Sequence, residues 1–227
     1  MYDKIKILTF AKGNFIESQQ KLKNHLVSIG LTNQKHITDK DLPNSFLSEY
    51  SEILSFKKGY GYCIWKPFII LEELKSIGDD EILLYIDSTD LPEKIFFDEV
   101  LKNFEQREYF FLNRGYNHGQ WTKRDTFVLM DCDNQKYYNH VQLEAGVIGL
   151  KKNNFNIELV EEWLEYAKNK NILTEHPNIS NLPNVNNFVE HRYDQSILTN
   201  LFIKKNLVSH RFGTEVIKYN YNQPKIY

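Results

Sequence analysis

Apolar positions recur along this chain at two spacings, and stretches with the two spacings alternate. Residues 4–10, KIKILTF, are a β-rich run continuous enough for a buried strand. Apolar residues then fall at 15, 16, 22, 26 and 29, a helical stripe that ends at Gly30. A second short strand is expected around His36 and Ile37, and a short helix over 46–56. This β-α-β-α opening predicts an α/β fold with a mostly parallel central sheet flanked by helices.

The next stretch is the most sharply punctuated. After Trp65, Pro67 suits the first helical position, where its missing N–H costs nothing. Phe68, Ile70, Leu71, Leu74 and Ile77 supply the buried face, and Gly78 marks the stop. Residues 82–86, ILLYI, form a buried strand that ends on Asp87. A helix over 95–104 and a strand over 108–112 follow. Residues 113–124, NRGYNHGQWTKR, read as a surface loop, and TFVLM (126–130) as strand or helix. VQLEAGVIGLKK (141–152) reads as a strand broken by Glu-Ala-Gly, and 157–168 as a helix capped by Asn156. Beyond the Asn- and Pro-rich residues 176–190, a helix is expected within 191–206, then a strand and an aromatic, polar coil.

Composition narrows the picture. At 227 residues and 41% hydrophobic, the chain is long enough for one large domain over 1–227. A net charge of −2 gives no global pull toward nucleic acid or anionic membrane. Cys63 and Cys132 make neither a metal spacing nor a disulfide framework, so free thiols in a reducing compartment are expected. The first apolar run is too short for a signal peptide, and no stretch approaches the roughly 20 apolar residues of a membrane span. A cytoplasmic protein is expected, with peripheral membrane contact left open. The 15 Phe, 14 Tyr and 3 Trp residues suit sugar rings and nucleobases, although most aromatics simply pack cores.

Candidate chemistry concentrates at strand ends, where ligands bind in α/β proteins. Thr9, Phe10 and Ala11 end the first strand, a normal place for a nucleotide base or for plain core. Asp87-Ser88-Thr89-Asp90 follows ILLYI, and carboxylates there could hold Mn²⁺ or Mg²⁺ with phosphate oxygens completing the shell. Taken alone, the same residues read more readily as a turn or cap. Asp131-Cys132-Asp133 runs on into Asn134-Gln135 and reads as a polar turn. Lys66, Lys123, Arg124 and Arg192 are candidates for pyrophosphate contacts, Lys66 foremost because it lies between Trp65 and Pro67. Asp194 opens a helix either as a first-turn acid or as a base facing a cleft. Glu144 places a charge inside an apolar strand, and His210-Arg211 could supply a cation ligand or a phosphate contact, although a satisfied or exposed histidine is the commoner case. No P-loop, G-x-S-x-G, H-E-x-x-H or G-x-G-x-x-G pattern is present.

Five segments together carry a resemblance: Gly59-Tyr60-Gly61-Tyr62, Trp65-Lys66-Pro67, Leu84-Tyr85-Ile86-Asp87, Glu144-Ala145-Gly146 and His191-Arg192-Tyr193-Asp194-Gln195. Across residues 59–195 the chain resembles small bacterial and viral nucleotide-sugar glycosyltransferases of the GT-A superfamily. The resemblance implies a GT-A-like, Rossmann-like domain with its donor half over about 1–130 and its acceptor half over about 131–227. It implies a UDP-type or other nucleoside-diphosphate-sugar donor, bound by Thr9, Phe10, Ala11, Tyr60, Trp65, Lys66, Asp87 and Ser88. Asp87 would be the first acid of a D-x-D, but Thr89 stands where the second belongs. Asp90 or His210 would then complete the Mn²⁺ or Mg²⁺ site, or metal dependence would be weak or absent. Glu144, Asp194 and Gln195 would be the catalytic groups, and Trp121, His191 and Arg192 would meet the acceptor.

The implied reaction moves a hexose to a hydroxyl of a polysaccharide, lipopolysaccharide or lipid-linked glycan, with retention or inversion left open. Two alternatives stand beside it. A sugar nucleotidyltransferase would usually show a glycine- and lysine-rich loop after the first strand, where only Ala11-Lys12-Gly13-Asn14 follows. A non-catalytic glycan-binding module would need the aromatics but not the acids.

Overall fold

ILLYI is buried at all five positions because its strand is covered on both faces. In the computed structural model, which describes residues 2–211 and 216–219, this strand is β3 (Ile82–Ile86). Its neighbours are β1 (Ile5–Ala11), β2 (Gln34–Thr38), β5 (Tyr109–Asn117) and β6 (Val141–Lys151). The five-stranded sheet has the order β2-β1-β3-β6-β5. β1 pairs in parallel with β2 and β3, whereas β6 runs antiparallel to both β3 and β5. Four strands therefore point one way and β6 is reversed, which is the mostly parallel sheet expected. A small second sheet joins β4 (Asp90–Pro92) to β7 (Ile217–Tyr219). The coil expected after β7 lies outside the described residues.

Period-2 alternation on β3 feeds two cores. Leu83 and Tyr85 face one layer, built on α2 (Trp65–Ser76), α4 (Asn154–Ala167) and α5 (Tyr193–Lys204). Ile82, Leu84 and Ile86 face the other, built on α1 (Phe15–Ser28) and α3 (Lys94–Phe104). Among the described residues no helix is long and apolar enough to cross a membrane.

Several boundaries differ from expectation for local reasons. α2 starts at Trp65, so Pro67 is its third residue, still in the first turn, where a backbone N–H would have no intrahelical acceptor and its absence costs nothing. The helix ends at Ser76 because Ile77 turns extended and buries its side chain, one residue ahead of Gly78. α4 begins earlier, capped by Asn153, whose Oδ1 accepts the Asn156 N–H at 2.8 Å. Asn156 instead is buried and donates to the carbonyls of Glu108 and Lys151. β6 runs on through Glu-Ala-Gly as one strand, but its pairing with β5 is interrupted there: Phe111 pairs with Ile148 and Leu112 with Glu144, so β6 residues 145–147 have no β5 partner, and the register shifts again between Asn113 and Asn117. Residues 113–117 thus extend β5 rather than forming a loop, and Arg124–Val128 is a helical turn.

The Asn- and Pro-rich segment is tied down. The buried Asp125 carboxylate accepts the backbone N–H groups of Ile179 (2.6 Å) and Ser180 (3.1 Å) and the Ser180 hydroxyl (2.6 Å). Asn184 Oδ1 accepts the Arg124 N–H at 2.8 Å. Asp125→Ala is expected to destabilise the protein by about 2–4 kcal/mol, because three donors lose a charged acceptor. Limited proteolysis should then cut within 176–190 well before the wild type is cut there.

Candidate active site

The reversed strand β6 brings its Ala145-Gly146 step beside the C-terminal end of β3. The Asp87 N–H donates to Gly146 O at 2.8 Å, and the Asp90 N–H donates to Asp87 O at 3.0 Å. This tight turn holds two carboxylates side by side. A Cβ added to Gly146 would lie 3.2 Å from Asp87 Oδ2 and 3.2 Å from Asp90 Oδ2. The missing side chain is what leaves room for both acids.

Lys66 reaches this point from the first turn of α2, and its side chain is only 5% exposed. Its Nζ donates to Ala145 O at 3.0 Å and lies 3.2 Å from Asp87 Oδ1 and 3.6 Å from Asp194 Oδ2. The Tyr85 hydroxyl donates to Asp87 Oδ1 at 2.6 Å. Asp194, at the start of α5, has its carbonyl fixed by the indole N–H of Trp163 at 2.9 Å. Gln195 Oε1 accepts the Ala145 N–H at 3.2 Å, so the Ala145 peptide is gripped by Lys66 at one end and Gln195 at the other.

Burial works against the Lys66 charge, but Asp87 and Asp194 more than offset it and hold the ammonium protonated well above the usual lysine range. Burial pushes Asp194 up to about 6, against the pull of Lys66. Asp194 Oδ2 is buried and accepts no hydrogen bond, since 3.6 Å to Lys66 is an ion pair beyond hydrogen-bond length. Burial also drives Asp90 well above the ordinary carboxylate range, and the charges of Asp87 and Glu144 add to that. Asp87 is the open member, with its side chain 39% exposed.

The loop before α2 is held in an unusual backbone. Gly59, Tyr60, Gly61, Tyr62 and Cys63 all have φ between 49° and 74°. Left-handed conformation costs about 1–2 kcal/mol at each non-glycine residue, and such strain collects at functional sites. Here it aims side chains both ways. Tyr60 lies parallel to Phe10 (6.3 Å, 8°) with Lys12 Nζ 3.3 Å over its ring, and Phe10 stacks on Trp65 at 3.9 Å. Tyr62 meets Tyr193, next to Asp194, at 4.9 Å. Gly61→Ala would put a Cβ 2.9 Å from Ile53 O at a φ of 74°. A loss of roughly 2 kcal/mol or more is expected, read as a lower denaturation midpoint with an unchanged slope.

The expected residues separate into those the fold brings together and those it does not. Asp87, Asp90, Lys66, Asp194, Gln195 and Glu144 gather at the Ala145-Gly146 step. Glu144, however, is held in a two-point pair with Arg114 from β5, so it is not an open base. His210 is not a partner for Asp87. It pairs with Leu112 on the far side of β5, three strand spacings or about 14 Å from β3. Its ring stacks on Phe110 and its Nε2 bonds Asn103. His191 is not on an acceptor surface either. It is 2% exposed, with Nε2 bonded to Ile172 O, and burial lowers it to about 3, so it is a neutral internal strut.

Thr9 and Ala11 have fully buried side chains, Phe10 belongs to the aromatic stack, and Ser88 is buried in the acidic turn. Trp121 and Arg192 are stacked on each other at 4.6 Å, near the start of α5. Asp131 and Asp133 lie in a turn, with Asp133 paired to Arg124. Sequence reasoning missed Tyr85 and Arg114. Tyr85 reads as one more apolar strand residue, and Arg114 falls in a polar run without pattern. The left-handed turn had a signal, glycine alternating with tyrosine over 59–62, which is too short to read as a phosphate loop.

Among the described residues no three His, Cys, Asp or Glu groups converge as a protein-only metal cage. Asp87 and Asp90 offer two convergent carboxylates, which fits a hard cation only if ligand oxygens complete its shell.

No family model and no curated protein sequence matches this chain. Solved structures do. Mouse xyloside xylosyltransferase 1, in its apo form, is similar at TM-score 0.50 and 10% identity, over 92% of this chain and 85% of that one. The galactosyltransferase LgtC, in complex with donor and acceptor sugar analogues, is similar at TM-score 0.50 and 12% identity, over 92% and 73%. WbbM, a bifunctional glycosyltransferase, is similar at TM-score 0.50 and 11% identity over 95% of this chain, which spans only 40% of that protein. At such identities the likeness establishes the fold, and the fold is GT-A.

Proposed function

We propose that this chain is a glycosyltransferase that moves a hexose from a nucleoside-diphosphate sugar, with a UDP-sugar favoured, to a hydroxyl of a glycan. The observation that carries this reading is the buried Lys66 ammonium between Asp87 and Asp194, at the C-terminal end of β3 in a GT-A sheet. Burying such charges costs several kcal/mol each. A binding module that recognised glycans by aromatic surfaces alone would have no use for them.

The donor half supplies the stack of Tyr60, Phe10 and Trp65 at the end of β1 for the base, and Lys66 for the diphosphate. Four acids (Asp87, Asp90, Glu144 and Asp194) face two bases (Lys66 and Arg114), a formal excess of two negative charges. Mn²⁺ or Mg²⁺ held by Asp87 and Asp90, together with diphosphate oxygens, would neutralise the leaving group. Lys66 stays charged throughout and meets the negative charge that develops on the diphosphate. Asp194 receives the acceptor proton. Its value of about 6 suits a general base near neutral pH, and its Oδ2 has no competing hydrogen bond. The acceptor oxygen bonds to the anomeric carbon, the bond from that carbon to the diphosphate oxygen breaks, and the electron pair leaves with the diphosphate.

The proposal extends to a surface polysaccharide, lipopolysaccharide or lipid-linked glycan as acceptor, on the cytoplasmic side of a membrane. Its support is the sequence resemblance set out above. The test of the donor reading is thermal shift with UDP-, GDP- and CMP-sugars, with and without Mn²⁺. UDP-sugars with Mn²⁺ should raise the melting temperature most, and no stabilisation by any of the three classes would sink the reading.

A further inference from the structure

Tyr116 is a large aromatic residue left 57% exposed, two residues along β5 from Arg114. One exposed tyrosine needs no explanation. This one is held out by its backbone. It follows Gly115, whose φ is 77°, within the stretch where β5 loses register with β6. The same bulge carries Arg114, which is paired to Glu144 beside Asp90.

Tyr116 meets Trp121 edge-on, with centroids 5.8 Å apart at 64°. The Arg192 guanidinium covers the Trp121 ring at 4.6 Å and is itself paired to Glu190. The indole Nε1 of Trp121 is buried and has no hydrogen-bond partner, a donor that ordinarily finds one.

The segment is rigid. His118, lowered by burial to about 4 and therefore neutral, bonds Gln142 at 2.6 Å and Asn200 at 3.0 Å. Trp121 O accepts both the Ser196 hydroxyl (2.9 Å) and the Arg192 N–H (3.0 Å). Both tie it to the start of α5, where Asp194 sits.

We propose that Tyr116 and Trp121, flanked by Arg192, form a ledge that takes one pyranose ring of the acceptor. The ring's apolar face lies on the exposed Tyr116 side chain, with its edge toward the stacked Trp121 and Arg192 side chains. The inference rests on the glycosyltransferase reading and names its acceptor as a sugar presented face-on, rather than a lipid or protein hydroxyl. It adds Tyr116 to the expected residues and replaces His191, which is internal.

The test uses the full chain and three simple probes: methyl β-galactoside, methyl β-glucoside and methyl β-N-acetylglucosaminide. Trp121 is the most exposed of the three tryptophans, so its fluorescence should report binding, and Trp121→Phe should remove the signal. At least one probe is expected to titrate saturably. Tyr116→Ala should weaken that probe about five- to tenfold, the worth of one aromatic face, while Tyr116→Phe keeps it. Because Tyr116 is exposed, its variants should melt close to the wild type. No saturable signal with any probe, or equal affinity in Tyr116→Ala, overturns the ledge. Donor thermal shift is measured on the wild type in parallel. Donor stabilisation without glycoside binding sinks the ledge alone, whereas loss of both sinks the glycosyltransferase reading as well.

Discussion

Lys66→Met is expected to cost both stability and activity, and by more than any other single change in the site. Methionine keeps the volume and the apolar stem but removes the charge. Asp194, 4% exposed, is then left without its cation, and Asp87 loses its nearest one. Breaking a buried pair by deleting one partner costs about 3–5 kcal/mol. Part of this is recovered if Asp194 takes up a proton, which its value of about 6 makes easy. The loss should therefore be larger at pH 8 than at pH 5, as measured by urea midpoints at the two values. Transfer should fall by about a hundredfold or more, the usual effect of removing one charge-stabilising group. Lys66→Arg should not rescue it, since a planar fork does not fit where Ala145 O, Asp87 and Asp194 converge on one point. Wild-type stability in Lys66→Met would mean that the ion pairs are worth nothing here.

Asp194→Asn is expected to separate stability from activity. In the fold this carboxyl keeps its proton up to about pH 6, whereas in the unfolded chain it loses it near the ordinary aspartate value of about 4. Between those values the native state binds more protons than the unfolded state, so stability falls as pH rises through that window. Asparagine escapes the penalty. At pH 7 the variant should be at least as stable as the wild type, by an amount on the order of 2–3 kcal/mol if Lys66 stays satisfied by Asp87. Below about pH 4 the difference should vanish. Transfer should nonetheless drop by about a hundredfold to ten-thousandfold, the range for loss of a general base. In the wild type, kcat/KM should decline below about pH 6, as Asp194 protonates. A variant that was markedly less stable at pH 7, or fully active, would remove Asp194 from the proposed role.

These two changes concern residues that are distant in sequence, and that shows where sequence reading reaches its limit. α2 was legible to within two residues at each end because its apolar stripe is local and repeats with the helical period. β3 was legible to the residue, because a strand buried on both faces is a continuous apolar run that must stop where the first charge appears. The opening β-α-β units, and with them the mostly parallel sheet, follow from the same kind of pattern. Asp87 and Lys66 could be singled out from their immediate neighbours: one is an acid that ends a buried strand, the other a lysine between a tryptophan and a proline.

What no local pattern carries is which charges share a partner. Glu144 and His210 were candidates in the sequence beside Asp194 and Asp90. Their fates depended on strand order and register: β5 brings Arg114 to Glu144, and the chain returns past β5 to place His210 three strands from Asp87. His191 stands three residues before Asp194 yet points into the core, because the left-handed Tyr193 turns the chain between them. Gly146 reads as a break in a strand, and β6 does lose its β5 partners there, but no local pattern shows that two carboxylates of the turn after β3 need the space it leaves. Sequence by itself determined the elements, the layered α/β architecture and the acidic strand end, because each rests on periodicity within a few turns of chain. Only the tertiary structure decided that Lys66 joins Asp87 to Asp194. Electrostatic partnership depends on distance and burial through space, and neither is written in the spacing along the chain.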